Sequence, residues 1–368
     1  MTTSATPEGT RQYAARYPAA AEGHFREAQR LALSSLGIGT YLGNADEETD
    51  RAYTAAIVEA VQNGINVIDT AINYRFQRSE RNIGEALVQL QAAGITRDQL
   101  VLCTKAGFLT PEGGMPADPN EYFFREYIHP GVLDAKEIVG GGHCMSPRFL
   151  KNQLGRSLQN MGIDVVDVFY LHNPETQLAE ITKADFLGRI REAFTFLESA
   201  VVAGEIQYYG VATWNAFRQD PRARDSMQLA DLVQIAQEIA GGMHRFRLVQ
   251  LPFNLGMTEA LTLGNQIVGG HKRTVMEAAD ELDVALVASA SLLQGQVAAN
   301  LPGFVAEALG LQNDAERALQ FVRSAPGITT ALVGMSRAEH ARANAKLLKV
   351  PTATVDQFSK LFSRGERA

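Results

Sequence analysis

Two cysteines in 368 residues, Cys103 and Cys144, argue against a disulfide-held scaffold and fit a reducing compartment, so a cytoplasmic protein is expected. No run of about 18 apolar residues occurs, so no membrane span is expected. The opening "MTTSATPEGTRQYAARYPAAAEGHF" lacks the basic start and apolar centre of a signal peptide. Basic side chains are outnumbered, 34 Lys+Arg against 41 Asp+Glu, for a net charge of -7. That balance disfavours broad nucleic-acid binding but leaves room for a local basic pocket around a phosphate. No G-x-G-x-x-G is present, the fingerprint that a doubly wound dinucleotide-binding sheet usually carries after its first strand. "GIGTYLG" comes nearest and does not lead directly into a helix.

What is there is a regular alternation. The chain is 46% hydrophobic, enough for a sizeable core. Strand-like runs occur at 33–40, 65–70, 99–105, 165–172, 206–213, 247–253, 284–290 and 328–334, several of them rich in β-branched and aromatic residues. Helix-like stretches lie between them. "DRAYTAAIVEAVQNG" ends in Gly64, "SERNIGEALVQLQAAG" starts at Ser79, and "SPRFLKNQLGRSLQNMG" opens with Ser146–Pro147 and closes at Gly162. Further helices are expected near 186–203, 225–240, 272–282, 313–325 and 337–348. Eight strand–helix units imply a parallel sheet, and eight fit a closed (β/α)8 TIM barrel better than an open one.

Residues 1–30 read as a polar, Ala-rich tail, either loose or packed on the surface. Residues 31–368 read as one barrel domain. The connection 108–144, after the third strand, is abnormally long, and its aromatics Tyr122, Phe123, Phe124 and Tyr127 argue against pure disorder. It follows a strand's C-terminal end, so the expected place is over the barrel mouth; packing on the barrel's side is the alternative. "GGGHC" at 140–144 reads as a flexible hinge closing that insertion, because one His–Cys pair without further spaced ligands is poor evidence for metal. No metal site is expected.

Four polar residues fall at strand ends of one rim: Asp69 after the second strand, Tyr74 in the loop behind it, Lys105 ending the third and His172 ending the fourth. Each alone has a bland reading, as a helix cap, a packed ring, a solvated charge or a hydrogen-bonded imidazole. All four at one rim are a different proposition from any one of them alone. A free phenol titrates near 10, and a nearby ammonium favours phenolate, so Lys105 is expected to lower the pKa of Tyr74. Asp69 holds that ammonium charged and in place.

At this point the sequence resembles the aldo-keto reductase family. "IDTAINY" with "SERNIGEAL", "VLCTK", "VVDVFYLHNP", "GEIQYYGVATW", "VQLPFN" and "VGMSRAEHARAN" are similar, in order, to that family's motifs over residues 31 to about 350. The resemblance implies Asp69, Tyr74, Lys105 and His172 as the catalytic tetrad of a carbonyl reduction, with His172 orienting or polarising the carbonyl oxygen, and NADP (NADPH) as cofactor. It implies contacts near the nicotinamide from Gly39, Thr40, Tyr41, Asp69 and Gln250. Ala212 and Thr213 stand where many members have a Ser-Asn pair, with Thr213 as the remaining donor and Asn215 as its alternative. Ser289 replaces a stacking aromatic, and Leu292 follows it. For the adenosine 2′-phosphate and adenine it implies Gly334, Met335, Ser336, Arg337 and Asn344, with Ala343 where an acid is usual. Arg75, Arg78 and Arg81 either bias the mouth toward anions or cap the helix region; the second reading is preferred. The expected activity is reversible reduction of an aldehyde or ketone to an alcohol, with a small carbonyl or alcohol substrate. The alternative implied by the same family is a cofactor-binding regulatory subunit with little turnover. A metal-dependent barrel hydrolase is the other rival.

Overall fold

A computed structural model describes residues 4–362. Thr6 accepts from the Gly9 amide and Pro7 occupies the first turn, so helix α1 (Pro7–Ala15) starts where its caps dictate. Strands β1 (Phe25–Ala28) and β2 (Leu31–Ser34) form an antiparallel hairpin. Leu31, Leu33 and Ala5 pack with Val67, Val101, Val168 and Tyr208. The Ala5 amide donates to the buried Asp167 carboxylate at 2.7 Å, and Tyr13 is fully buried. The described part of the stretch read as a polar tail, from residue 4 on, therefore belongs with β2 to the barrel's floor. Its mean composition hides the few apolar residues that do the burying.

The barrel strands are β3 (Leu36–Gly39), β4 (Val67–Asp69), β5 (Val101–Ala106), β6 (Val166–His172), β7 (Ile206–Ala212) and β8 (Phe246–Pro252). A surface hairpin, β9 (Gln266–Val268) with β10 (His271–Arg273), precedes β11 (Ala285–Ser289) and β12 (Ile328–Gly334). Neighbouring barrel strands are parallel, and β12 pairs with β3 to close the ring of eight. The first strand-like run, 33–40, splits at its serines. Ser34 still pairs with Phe25 in the hairpin, while Leu36 already pairs with Ala331 in the barrel. The Ser34 hydroxyl donates to Leu36 O at 2.6 Å, a local bond that competes with continuing the strand.

Helices α2 (Glu47–Gln62), α3 (Arg78–Ala92), α4 (Pro119–Phe123), α5 (Pro147–Met161), α6 (Lys183–Ala203), α7 (Leu229–Ala240), α8 (Glu259–Thr262), α9 (Val275–Glu281), α10 (Gly303–Leu309), α11 (Asp314–Ser324), α12 (Ala338–Ala345) and α13 (Val355–Ser359) complete the described residues. The outward strand residues Ile68, Leu102, Phe169 and Val249 join the helices in one continuous core. The inward residues Val67, Val101, Cys103, Val168, Tyr170 and Leu248 fill the barrel.

That period-two alternation decides where the polar residues go. Val67 faces in and Ile68 out, so Asp69 faces in. The same parity runs through Val101, Cys103 and Lys105, through Val168, Tyr170 and His172, and through Leu248 and Gln250. Each of these polar residues is the last inward position before its strand ends, or close to it.

Candidate active site

The inward strand-end residues meet at one mouth. Lys105 Nζ lies 2.6 Å from Asp69 Oδ1 and donates to Thr70 O at 2.7 Å. Gln250 Nε2 donates to Asp69 Oδ2 at 2.8 Å. Both carboxyl oxygens accept, which is the pattern of a carboxylate. Burial pushes the Asp69 carboxyl up, while the ammonium and the Gln250 amide pull it back. Burial works to lower Lys105, but Asp69 and Tyr74 more than offset it, so its pKa is raised and it is an ammonium.

Tyr74 is half-buried, with its ring centroid 5.0 Å from Lys105 Nζ and 5.8 Å from the His172 ring. Directly after it Arg75, Phe76 and Gln77 take left-handed φ values of 49, 58 and 74°. Such conformations cost about 1–2 kcal/mol per residue, and they cluster at functional sites. The buried Arg75 guanidinium fastens this turn to Asn44 O at 2.8 Å, Asn82 at 2.7 Å and Asp50 at 2.5 Å. Arg78 also holds Asp50, and Arg81 holds Glu112 at 2.6 Å, so all three arginines are clamps on the turn and helix.

The expected lowering of the Tyr74 pKa is corrected. Burial raises it, and the opposing pull of Lys105 does not make up the difference. The phenol therefore keeps its proton at neutral pH. His172 is pushed well below its ordinary value by burial, then by the Lys105 charge, so its ring is neutral. Its Nδ1 is buried without a partner. A bare acceptor there is cheaper than a bare donor, which leaves Nε2 to carry the proton.

A cavity of about 890 Å³ opens over this group and extends to the start of α12. Gly39, Thr40, Tyr41, Asp69, Tyr74, His172, Thr213, Gln250, Ser289, Leu292, Gly334, Ser336 and Asn344 line it. Lys105 lies beneath, fully buried. Three residues named from the sequence as cofactor contacts do not line it, the alternative Asn215 among them. Met335 is buried in the hydrophobic core, because the residue after inward Gly334 turns outward. Arg337 occupies the N-cap position of α12, largely exposed, and donates to the His340 ring at 2.9 Å. His340 and Ala343, one and two helical turns on, line the wall instead.

Sequence reading also missed Phe108, Trp214 and Ser291, which line the cavity. The buried hydroxyls of Thr213 and Ser291 have no partner. Unpaired hydroxyls in a cavity wall fit a ligand that brings its own polar groups, as a nicotinamide dinucleotide does. Glu175 was missed as well. Its Oε1 accepts from the Trp214 and Asn215 amides at 2.6 and 3.1 Å, so it holds the loop that presents Thr213 and Trp214. Burial pushes its pKa up to about 7. An acid placed two residues after a strand-end His-Asn was the only sequence signal.

The 108–144 insertion reaches the cavity through Phe108. Its body packs on α5: Tyr127 is fully buried, 5.8 Å from the Phe149 ring, with Arg156 over its face. Its first residues bond to the turn after Tyr74, with Gly113 N donating to Phe76 O at 2.8 Å, so the insertion runs from that turn onto α5. Gly140 and Gly141 have positive φ, but the next residues are no loose hinge, since His143 is 1% exposed. Both cysteines are free and buried. Among the described residues, no helix is long and apolar enough to cross a membrane, and no group of three or more His, Cys, Asp or Glu could hold a metal ion.

The Aldo/keto reductase family model matches residues 35–238, more than half of the chain. The chain belongs to the aldo/keto reductase family. It is 28% identical over 191 residues to the NADH-specific methylglyoxal reductase of Escherichia coli (strain K12), covering 50% of each chain. It is 28% identical to a putative voltage-gated potassium channel subunit beta of Schizosaccharomyces pombe, over 51% of this chain and 44% of that one. The chain thus spans about half the length of the curated relatives it matches. An aldo/keto reductase from Klebsiella pneumoniae, solved with NADP and acetate, superposes with a TM-score of 0.63 at 18% identity, over 93% of this chain and 95% of that one. The fold is the (β/α)8 barrel of this family.

Proposed function

We propose that this protein is an NADP(H)-dependent carbonyl oxidoreductase that reversibly interconverts an aldehyde or ketone and its alcohol. The observation that carries this is the neutral phenol of Tyr74 beside a buried Lys105–Asp69 pair and a neutral His172, all at one end of a dinucleotide-sized cavity. The NADP complexes of the Klebsiella structures support the cofactor, while the E. coli relative is named for NADH. Gly39, Thr40, Tyr41, Thr213, Gln250, Ser289 and Leu292 would hold the nicotinamide end, and Ser336, Gly334, Asn344 and Arg337 the adenosine end. When bound, the nicotinamide supplies a hydride to the carbonyl carbon.

Tyr74 holds the proton that the carbonyl oxygen needs. As that proton leaves, the Lys105 ammonium stabilises the phenolate, and Asp69 keeps the ammonium charged. His172, neutral, donates from Nε2 to the same oxygen and fixes its angle. In the reverse direction the phenolate takes the proton back.

A second reading, a cofactor-binding subunit with little turnover, draws on the likeness to the channel subunit beta. The complete tetrad counts against it. Fluorescence titration with NADPH followed by a carbonyl panel tests both. Binding with no oxidation of NADPH by any carbonyl would favour the second reading; no binding would sink both.

A further inference from the structure

The "GGGHC" segment ends the 108–144 insertion, and nothing in the proposed reaction uses it. Its histidine is nonetheless built into the site. Strand β6 stops at His172, and Asn173 turns away with φ 46°. The ladder ends there, and the His172 carbonyl takes its partner from the insertion: His143 Nε2 lies 2.8 Å from it. The insertion is itself pinned to β5's continuation, with Cys144 N donating to Gly107 O at 2.7 Å and Leu109 N to Gly142 O at 2.8 Å.

The chemistry of the neighbours fixes every proton. Arg189 of α6 can only donate, and it donates to Gln177 Oε1. The other end of that amide, Gln177 Nε2, must then donate, and it meets His143 Nδ1 at 2.7 Å. Nδ1 is an acceptor, so Nε2 carries the ring proton and points it at the His172 carbonyl. Gly107 leaves room for this bond: a Cβ there would stand 2.6 Å from His172 O and 2.8 Å from His143 Nε2. The Phe108 ring packs edge-on against both imidazoles, at 5.0 Å from His143 and 5.2 Å from His172.

We propose that His143 is a positioning residue for His172: the relay Arg189–Gln177–His143, whose last member the insertion delivers, fixes the backbone from which the reacting imidazole projects. The proposal rests on His172's place in the reaction above. His143 is suited to the task because burial holds its pKa down at about 4, leaving it neutral with one proton in one place. The titratable and charged groups that face it are His172 across the carbonyl and Arg189 behind Gln177.

The test uses the full chain. Histidine 15N spectra without cofactor should show His143 as the Nε2–H tautomer, with a slowly exchanging proton, between about pH 6 and 9. An Nδ1–H tautomer or a freely exchanging proton overturns the proposal whether or not the protein turns over any carbonyl. Failure of the carbonyl panel alone would strike the reaction and leave this readout intact. His143→Leu should broaden or split the His172 ring signals. It should also lower kcat roughly tenfold to a hundredfold, the scale of a misplaced reacting group, with NADPH affinity held within about twofold. His143→Gln, which can still donate at that reach, should recover both. Unchanged His172 signals and kcat in His143→Leu overturn the proposal.

Gln177→Glu gives a second arm should His143→Leu fold poorly. A carboxylate still accepts from Arg189 but draws the imidazole proton to Nδ1. Doubly protonated His143 keeps its donor to His172 O; on deprotonation the bare Nε2 faces the carbonyl. The variant should therefore lose kcat as pH rises, through a titration that the wild type lacks. A wild-type pH profile in Gln177→Glu also counts against the relay.

Discussion

Lys105 and Asp69 lie 2.6 Å apart with the lysine side chain fully buried and the aspartate 6% exposed. Both charges are largely withdrawn from solvent. Removing one partner of a buried pair typically costs roughly 3–5 kcal/mol, because the other is left uncompensated. Lys105→Met should therefore lower the free energy of unfolding by about that amount. Adding Asp69→Asn should return most of the loss, since the amide can still accept from Gln250. Urea denaturation of the two variants decides it. A single variant as stable as wild type would mean that Asp69 is already protonated in the native state.

Removing only the phenolic hydroxyl tests the proton donor. Tyr74→Phe keeps the ring against Lys105 and His172, so cofactor affinity should hold while carbonyl reduction falls roughly 10²–10⁴-fold, the usual contribution of a general acid. Stopped-flow or steady-state NADPH oxidation measures this. A variant that retains most of its turnover would take Tyr74 out of the mechanism.

Glu175 carries a pH dependence of stability whose sign follows from its shift. Burial raises its carboxyl from 4.5 to about 7 in the folded protein. Between those values the native state binds the proton more than the unfolded state does. Its stabilising effect is present below pH 4.5 and is lost as pH rises to about 7. Glu175→Gln keeps an acceptor for the Trp214 and Asn215 amides and removes the titration. The variant should gain on wild type at pH 8 relative to pH 5, by roughly 2.5 kcal/mol at 1.36 kcal/mol per unit. Equal urea midpoint differences at the two pH values would show that Glu175 does not titrate in this range.

Substrate charge is the next measurable property. Among the described residues no Lys or Arg lines the cavity, and Tyr41, Phe108 and Trp214 do. The arginines nearest to Tyr74 in sequence are spent on Asp50, Asn82 and Glu112. Uncharged aromatic aldehydes should therefore outperform phosphorylated aldehydes in kcat/KM by at least about tenfold, the scale of one charge-assisted bond that the site does not offer. A side-by-side panel checks this, and a preference for the phosphorylated compounds would contradict it.

Much of this architecture could be read from local pattern. The barrel strands are short apolar runs, and their period of two puts Asp69, Lys105, His172 and Gln250 on the inward face once the first inward valine is assigned. Other features depended on what the pattern does not carry. Met335 and Arg337 were assigned by motif position, but side-chain parity and the helix N-cap send one into the core and the other outward. The net shift of Tyr74 depends on burial, which competes with the charge of Lys105 that the sequence does display. His143 and Glu175 act through backbone groups of distant segments, and no spacing rule links residue 143 to 172 or 175 to 214. The floor formed by residues 5–34 rests on a few side chains, Ala5, Tyr13, Leu31 and Leu33, within a polar stretch.

The position of Arg337 sharpens the cofactor prediction. Its side chain is 61% exposed, 3.9 Å from Glu339, and bonded to His340, which does line the cavity. A 2′-phosphate near the start of α12 would meet the guanidinium from outside the wall, with solvent screening one side. Charge-assisted bonds are worth roughly 1.5–3 kcal/mol, and exposure sets the expectation at the lower end, about a tenfold loss in affinity. Arg337→Ala should therefore weaken NADPH about tenfold and leave NADH nearly unchanged. Adding salt should shrink the difference in the wild type, because an exposed pair is screened. The contacts at Thr213, Gln250 and Asn344 would serve both cofactors, so weakness there cancels in the comparison. Dissociation constants for both cofactors, in wild type and variant, decide the matter. Equal losses for the two, or a wild type that prefers NADH, would remove Arg337 from phosphate recognition and leave the choice of cofactor to His340 and Ser336.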